Sequence, residues 1–363
     1  MSESESQPEV RERAAVFACG GVFYTEKDVI DAALTRGELE PIWRDLLRSI
    51  DCENAADEAE IKEGALDEAA EAFRYDHDLI TAEETEHWLE VRGFNLEDFG
   101  SYFARRYWGQ NWKEEVEPEA IDYVSASEEL RELLRTDLML SGEFDRMSSR
   151  LSWRVAANTA TKDEEVDAGL LADQEKIFLE RLGIDQGRLE EWLAGLGRDR
   201  AWLNQILRME VAARLKREQL LTAQARRSEA ATLRLPLTQF EVELIELESS
   251  DAAREASLCV TEDGLSMEEV AKEGRYPFRR VSLLLQDIEV DLQQKFLSVS
   301  PGKVLEPIER GDGFHLCRII SKVEPNAEDP ALKEIIDRSI IERHFSQLVA
   351  NHIQWQGPLN YTQ

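Results

Sequence analysis

Apolar residues recur every three or four positions along most of the chain, a spacing that puts them on one face of a helix. This pattern predicts a mainly helical protein whose amphipathic segments are separated by short polar breaks. Between residues 118 and 182 the period is interrupted near Ser141 and Gly142 and again over 158–163. The other helical segments predicted in this way are 38–50, 57–75, 199–232, 250–273, 288–300 and 329–355.

Three residue pairs predict where helices begin. In a capping box, the N-cap side chain and an acidic side chain three residues later satisfy each other's backbone N–H groups. The pairs with this spacing are Thr25 with Asp28, Thr81 with Glu84, and Asn95 with Asp98. Gly93 lies between the second and third pairs and reads as the end of a helix.

Residues 79–108 and 183–212 share a weak pattern. Each contains a Trp-Leu pair followed by a glycine, Gly93 in the first segment and Gly197 in the second, and then a further apolar helix. We interpret them as two related helix-turn-helix units and as a candidate internal repeat.

Strand patterns occur in two regions. Residues 14–24 form an apolar run broken by Gly20 and Gly21, which predicts a small hairpin or a strand leading into a helix. After Pro236 the period changes to two, since Phe240, Val242 and Leu244 alternate with Glu241 and Glu243. This predicts a half-buried strand over 238–248. Further strands are predicted over 303–308 and 314–323, joined by a tight turn at Arg310–Gly313.

The charge of the chain limits its partners. It has 75 acidic and 43 basic residues, for a net charge of −32. Such a chain repels phosphate groups, so we expect neither nucleic acid nor an anionic membrane surface as a partner. The first third is the most acidic part, which is typical of solvated helices and also of a surface that attracts a basic partner.

The compartment is predicted from the N-terminus and the cysteines. The first residues are acidic and polar, without the basic and apolar regions of a secretory signal. No apolar run approaches the roughly 18 residues needed to cross a bilayer. Cys19, Cys52, Cys259 and Cys317 form no CxxC pair. We therefore expect a reduced, cytoplasmic protein with a disordered acidic tail over residues 1–13.

No nucleotide-binding, hydrolase or zinc-protease motif occurs in the sequence. Asp76, His77 and Asp78, together with Glu86 and His87, have the residue types of metal ligands. Nothing supplies a third ligand at fixed spacing, so we expect no metal and no cofactor.

The region from 238 to about 325 has the element order strand, helix, helix, strand, turn, strand. Near its end, Pro301-Gly302 precedes a strand that ends at Pro307, and the turn leads to Phe314-His315 and an apolar strand. These residues resemble the last third of a parvulin-type peptidyl-prolyl isomerase domain. The segment 265–271 resembles the Phe-Ala-Glu-Leu-Ala helix of that family. The helical flanks resemble the chaperone module of SurA-like and trigger-factor-like proteins.

The sequence departs from the parvulin pattern at two places. Parvulins usually open with a strand that carries a histidine, but the matching stretch here is 243–247, with Leu244 or a neighbour in that position. The glycine-rich segment before the last helix is also missing, and 279–283 stands near there instead. Of the paired histidines that the resemblance implies, only His315 remains.

The resemblance implies a site as well as a fold. Prolyl isomerisation needs an apolar cradle for the ring and a polar environment that favours the twisted amide. His315 would be the catalytic residue, and Phe278, Leu292, Phe296 and Phe314 would line the cradle. The alternative is a structural histidine among four core residues.

A second candidate surface lies in the helical region. Trp108 and Trp112 stand near a predicted helix end, where exposed aromatic rings could bind a client chain. Core packing is the alternative for both residues.

The expected fold class is therefore α+β and mainly α. It comprises a helical SurA- or trigger-factor-like module over 14–235, a small parvulin-like domain over 236–326, and a C-terminal helix within 327–363. We expect that helix to pack back on the helical module, because its apolar stripe needs a partner.

The expected function is that of a cytoplasmic peptide-binding chaperone or scaffold with a degenerate parvulin-like domain. Signal-less proteins of this kind resemble accessory factors of peptide maturation, so the expected partners are an unfolded or precursor peptide and a peptide-modifying enzyme. Two alternatives stay open: an active peptidyl-prolyl isomerase, and a non-catalytic docking subunit of a larger complex.

Overall fold

The computed structural model of this chain describes residues 15–56, 59–114, 116, 121–162 and 166–356. The tail predicted over 1–13 lies outside the described residues. The chain divides into two compact units, of which the first is Met1–Lys216 with His344–Gln363 and the second is Arg217–Arg343. The second unit is thus inserted into the sequence of the first. The predicted domain boundaries, after residues 235 and 326, both fall inside the second unit.

The first unit is mainly helical and has one small sheet. Its strands are β1 (Ala15–Cys19), β2 (Val22–Thr25) and β7 (Ile353–Trp355). Its helices are α1 (Glu26–Thr35), α2 (Leu39–Ala56), α3 (Ala65–Asp76), α4 (Ala82–Val91), α5 (Leu96–Asn111), α6 (Glu128–Leu140), α7 (Glu143–Ala160), α8 (Ala168–Leu182), α9 (Leu189–Gly195) and most of α10 (Arg200–Leu220), with 3₁₀ turns at Tyr123–Ser125 and Gln186–Arg188.

The apolar run at the start of the described chain forms the predicted hairpin. Gly20 and Gly21 make its turn with φ of +56° and +83°, values that glycine adopts without a steric penalty. β1 pairs antiparallel with β2 on one side and with β7 on the other. The buried Phe17 ring stacks on Tyr24 at 4.8 Å and meets Trp355 at 5.4 Å, both measured between ring centroids.

The closing helix α15 (Pro330–His352) begins in the second unit and ends in the first. Within the first unit, Phe345 is fully buried, and its ring centroid lies 5.2 Å from that of Trp153. Val349 and Ile353 belong to the main apolar core of the same unit. The prediction that the C-terminal helix packs on the helical module is confirmed for these last turns.

All three predicted capping boxes are present, with both reciprocal hydrogen bonds in each. Both candidate repeat segments form a helix, a glycine turn and a second helix. The Phe94 N–H donates to the Leu89 carbonyl at 2.9 Å, and the Arg198 N–H donates to the Leu193 carbonyl at 2.8 Å. Gly93 and Gly197 have positive φ at matching places. Descent of the two segments from a duplication stays a prediction.

One helix of the first unit starts later than predicted. In the described part of the segment 57–75 the helix begins at Ala65, after Gly64, whose φ of +80° is incompatible with a right-handed α-helix. The helix before it extends to Ala56, beyond the predicted end at residue 50. The predicted break at Gly142 is present between α6 and α7.

The second unit contains a four-stranded antiparallel sheet with the order β4-β3-β6-β5. Its strands are β3 (Gln239–Leu247), β4 (Phe278–Leu284), β5 (Ile308–Arg310) and β6 (Gly313–Val323). Its helices are α11 (Ala223–Thr232), α12 (Ser250–Thr261), α13 (Met267–Gly274), α14 (Val290–Ser298) and most of α15, with a 3₁₀ turn at Leu285–Asp287. The predicted α+β, mainly α class is confirmed.

Alternation along β3 gives this sheet two faces. On one face, called here the α14 face, Phe240, Val242 and Leu244 of β3 pack with Leu292 and Phe296 of α14. On the other, the α12–α13 face, Ile245 and Leu247 pack with Ala253 of α12 and Met267 of α13.

Two predicted helices are interrupted by polar caps. The predicted helix 199–232 breaks at Thr222, whose hydroxyl accepts a hydrogen bond from a backbone N–H of α11. The predicted helix 250–273 ends at Thr261 and resumes after Ser266, which forms a capping box with Glu269. Ser and Thr side chains stabilise a helix start better than a helix interior, which favours the breaks.

The strand predicted over 303–308 is mostly irregular. A bridge joins Val304 to Arg318, with backbone hydrogen bonds from Leu305 to Cys317 at 2.8 Å and from Ile319 to Lys303 at 3.1 Å, and β5 covers Ile308–Arg310. Gly311, with φ of +55°, lies in the predicted tight turn between β5 and β6. Among the helices of the described chain, none combines the length and apolar character that crossing a membrane requires.

Candidate functional site

Strand β4 forms one edge of the second-unit sheet and pairs with β3 alone among the described strands. Backbone hydrogen bonds at both ends fix its orientation: Leu285 donates to Thr238 at 2.9 Å, and Glu246 donates to Pro277 at 3.1 Å. Bonded positions alternate in an antiparallel pair, so the odd-numbered residues of β4 bond to β3. The residues whose N–H and C=O groups face the open edge are Phe278, Arg280, Ser282 and Leu284.

Three charged side chains meet on the α12–α13 face beside this edge. Glu243 on β3 is buried, with 3% of its side chain exposed, and lies directly opposite Arg280 and Arg318 on the two neighbouring strands. The Arg280 Nε donates to Glu243 Oε1 at 3.1 Å, and the Arg318 Nε donates to Oε2 at 2.8 Å. Both guanidinium groups therefore bind one buried carboxylate, and Glu241 lies on the same side of the sheet.

A groove of about 660 Å³ lies over this ion cluster. Residues of β3, β4 and β6 line it, so the outer rim of the groove is the β4 edge itself. Its lining includes Glu241, Glu243, Arg280, Ser282, Arg318 and Ile320. An extended segment placed along the edge would therefore have backbone groups to pair with and a polar groove for its side chains.

The neighbouring arginine lies on the opposite face of the sheet. Arg279 is directly across from Leu244, a residue of the α14 face, and its Nη2 lies 2.5 Å from Glu246 Oε1. The Arg279 and Arg280 side chains are 57% and 65% exposed. The edge thus carries one exposed guanidinium group on each face of the sheet. The carboxylates that pair with them, Glu246 and Glu243, lie on the inner neighbouring strand β3.

His315 on β6 is half-buried and lies directly opposite Glu246. Burial lowers the pKa of its imidazole, Glu246 opposes that shift, and Arg279 and Arg310 add to it. A neutral imidazole offers one hydrogen-bond donor and one acceptor. On the same face, burial raises the pKa of the Cys317 thiol to about 12, so this thiol stays protonated.

The His315 imidazole should titrate below the ordinary histidine pKa of about 6.5. Because the pKa is lowered in the folded state, the unfolded chain binds this proton more readily. The neutral ring therefore makes its full contribution to the free energy of unfolding above about pH 6.5. That contribution declines as the pH falls below this value. The NMR shift of the ring Cε1–H in the full chain measures the midpoint, with His315→Gln for assignment. A midpoint at or above 6.5 would contradict the burial argument.

The four residues predicted to line a proline cradle lie in two separate places. Leu292 and Phe296 are 5% and 4% exposed and pack in the core of the α14 face. Phe278 and Phe314 are half-buried and pack against the cluster of the α12–α13 face. The sheet lies between the two pairs, so the structure does not gather the four residues around His315.

Trp108 and Trp112, the candidate client-binding residues of the first unit, are half-buried at the end of α5. Their ring centroids are 6.1 Å apart, and the Trp112 N–H donates to the Trp108 carbonyl at 2.9 Å. Gly109 between them approaches α2 so closely that a Cβ there would lie 2.3 Å from the Ser49 hydroxyl. This helix end is therefore held by packing, and its client-binding role stays a prediction.

His77, considered above as a metal ligand by residue type, has a place in the aromatic core. Its ring stacks on Phe73 with centroids 4.1 Å apart and meets Trp88 at 5.3 Å. Its Nδ1 lies 2.9 Å from the Phe73 carbonyl oxygen. Packing accounts for this histidine.

The Glu243 ion cluster is what sequence reasoning missed. Alternation along the predicted strand put Glu243 on the solvent side, but Arg280 and Arg318 cover it. The signal was an arginine at the matching position of each partner strand, and it becomes visible only once the strand register is known.

Comparison with known proteins gives structural neighbours only. No protein-family description and no curated protein sequence matches this chain. Among solved structures, the chain is similar to the peptidylprolyl isomerase PrsA of Bacillus cereus, with 13% identity and a TM-score of 0.34 over 67% of this chain and 91% of that one. It is also similar to PrsA of Bacillus subtilis, with 14% identity and a TM-score of 0.22 over 61% of this chain and 84% of that one. A structure reported for the SurA-like chaperones PEB4 and Cj1289 of Campylobacter jejuni matches at 9% identity and a TM-score of 0.21, over 60% of this chain and 88% of that one.

Proposed function

We propose that this protein is a peptide-binding chaperone or scaffold that holds an extended polypeptide along strand β4. The observation that carries the proposal is the open edge, where Phe278, Arg280 and Ser282 direct their backbone N–H and C=O groups outward. An extended segment can pair with these groups as a fifth strand, which is a common mode of peptide recognition.

The charges of the edge support a heterologous occupant. Antiparallel pairing of two β4 copies in a register centred on Arg279 or Arg280 would set that arginine opposite its own copy, and like charges directly across strands are destabilising. These registers of self-pairing are therefore disfavoured, whereas a segment of different sequence meets no such repulsion.

The second unit suits binding better than prolyl isomerisation. Glu246 faces His315 across the strands, and the apolar residues expected to surround a proline ring lie on two faces of the sheet. We infer a degenerate parvulin-like domain. The isomerase alternative would be supported if exchange NMR on proline-containing peptides found accelerated cis–trans exchange that disappears in His315→Ala.

The client that we propose is an unfolded or precursor peptide, held in the cytoplasm for a peptide-modifying enzyme. All four cysteines are free thiols and three of them are buried, which supports a reducing compartment. The docking-subunit alternative relies on the acidic surface for a basic partner. Such binding would weaken steeply as salt is added, whereas backbone pairing at an edge would not.

Ser282→Pro should weaken peptide binding by about five- to thirtyfold. Proline removes the outward N–H and puts its ring on the open edge, a combined loss of about 1–2 kcal/mol. The Ser282 N–H does not bond to β3, so the sheet is retained. The probe is a fluorescently labelled peptide of alternating threonine and valine with two central glutamines. Its anisotropy is measured against full-length protein.

Ser282→Ala is the matched control, because it keeps the backbone N–H and should bind like the wild type. Amide exchange along β3 reports whether the sheet survives in each variant. Equal affinity of Ser282→Pro and wild type, with the sheet intact, would refute the edge as the binding site. If the wild type bound neither this peptide nor its variants with glutamate or lysine at the central positions, the peptide-holding function would be refuted. The docking-subunit alternative would then be favoured.

A further inference from the structure

We propose that the β4 edge selects extended segments carrying two acidic residues that are adjacent in sequence, an inference that rests on the peptide-holding function proposed above. The observation behind it is the placement of two exposed guanidinium groups on successive residues of an open edge strand, Arg279 and Arg280.

The spacing of the acidic pair follows from strand geometry. Successive residues of a strand point to opposite faces, so Arg279 lies on the α14 face and Arg280 on the α12–α13 face. A strand added about 4.8 Å away puts each of its side chains beside the β4 side chain opposite it, with Cβ atoms about 4.5–5.5 Å apart. Residues opposite two successive positions are themselves successive. An adjacent acidic pair can therefore meet both arginines, whereas two acids separated by one residue share a face and can meet only one.

The order of charges across the sheet favours an anion at the edge. Glu243 and Glu246, which pair with Arg280 and Arg279, lie one strand further in on β3. The guanidinium groups therefore form the outer layer, and an approaching carboxylate meets positive charge first. Just before β4, the exposed residues Lys272, Glu273 and Arg275 add a net charge of +1.

The net charge of −32 opposes any acidic ligand at long range. At physiological ionic strength the screening length is about 8 Å, so distant repulsion is largely screened while contact pairs persist. Short-range pairing with Arg279 and Arg280 then decides whether acidic or neutral peptides bind more tightly. The binding measurements are therefore made at a physiological salt concentration.

Four labelled peptides test the inference. All share the threonine–valine background, and their variable positions are Glu-Glu, Glu-Thr-Glu, Gln-Gln and Lys-Lys; the two glutamate peptides have the same net charge. For exposed pairs, each matched contact is worth up to about fivefold in affinity. We expect the Glu-Glu peptide to bind about three- to fivefold tighter than Glu-Thr-Glu, which in turn binds tighter than Gln-Gln, with Lys-Lys weakest.

Two variants and a control locate the effect. Arg279→Gln leaves the Glu243 ion cluster intact and should abolish the advantage of Glu-Glu over Glu-Thr-Glu. The double variant Arg279→Gln with Arg280→Gln should bring both glutamate peptides to the affinity of Gln-Gln. Arg254→Gln, an equal charge change at an exposed position of α12, should leave all four affinities as in the wild type.

The outcomes separate the selectivity from the function on which it rests. Equal affinity for Glu-Glu and Glu-Thr-Glu would overturn the adjacency rule. Equal affinity for Glu-Glu and Gln-Gln would overturn the acidic preference, while peptide holding would stand if Ser282→Pro still weakened binding. If Arg254→Gln changed the peptide affinities as much as Arg279→Gln does, the overall charge of the protein would explain the acidic preference. The assignment of that preference to the β4 edge would then be overturned. No binding of any of the four peptides would overturn both proposals.

Discussion

Replacing Phe345 with alanine should lower the free energy of unfolding of the first unit by about 3–5 kcal/mol. The side chain is fully buried against Trp153, so the substitution would leave a large cavity. Phe345 also anchors the last turns of α15, which lead directly into β7. Weaker anchoring should loosen the pairing of β7 with β1, so the loss extends to the sheet.

Tryptophan fluorescence during urea unfolding is the measurement for Phe345→Ala. All eight tryptophans of the chain belong to the first unit, so their emission reports that unit selectively. Ser346→Ala is the control, since it changes an exposed neighbour on the same helix turn and should cost less than about 0.5 kcal/mol. Similar urea midpoints for the two variants would show that the C-terminal helix does not complete the first unit.

Arg318→Ala should destabilise the second unit by about 3 kcal/mol. It leaves the buried Glu243 carboxylate with a single partner, Arg280, whose side chain is mostly in solvent. Removing one member of a buried ion pair typically costs about 3–5 kcal/mol, because the remaining charge stays desolvated. The retained bond to Arg280 puts the expected loss at the lower end.

Arg280→Ala is the matched comparison for Arg318→Ala, because both arginines bind the same carboxylate. The Arg280 side chain is 65% exposed and that of Arg318 is 28% exposed, so we expect Arg280→Ala to cost less than about 1 kcal/mol. Replacing Glu243 and Arg318 together by leucine should restore most of the stability. Amide exchange along β3 and β6 gives the opening free energy. Equal losses for the two single variants would mean that burial does not control the contribution of this cluster.

Local signals carried much of the fold prediction. The capping pairs beginning at Thr25, Thr81 and Asn95 depend on neighbouring residues only, and all three form. The Gly20-Gly21 turn likewise needs positive φ values, which glycine adopts without help from distant residues. The apolar stripe of the last helix correctly predicted that its final turns pack in the core of the first unit. Such features involve few residues close in sequence, so the sequence alone predicts them.

Features that depend on contacts distant in sequence were not predictable. The burial of Glu243 requires the register of β3 against β4 and β6, which sets both arginines opposite it. Predicting that Phe278 and Phe296 lie on different faces of the sheet also requires the strand register. Thr222 shows a subtler case, since continued apolar periodicity predicted one long helix although the residue acts as an N-cap.

The inserted position of the second unit has a consequence for synthesis on the ribosome. Strand β1 finds its partner β7 only after Trp355 has been made, whereas β2 and the early helices emerge soon after β1. The second unit, contiguous from Arg217 to Arg343, can fold before that point. During this interval β1, whose five residues are all buried in the finished protein, has an unpaired apolar edge. We therefore expect the nascent chain to be most prone to aggregation between the emergence of β1 and that of β7.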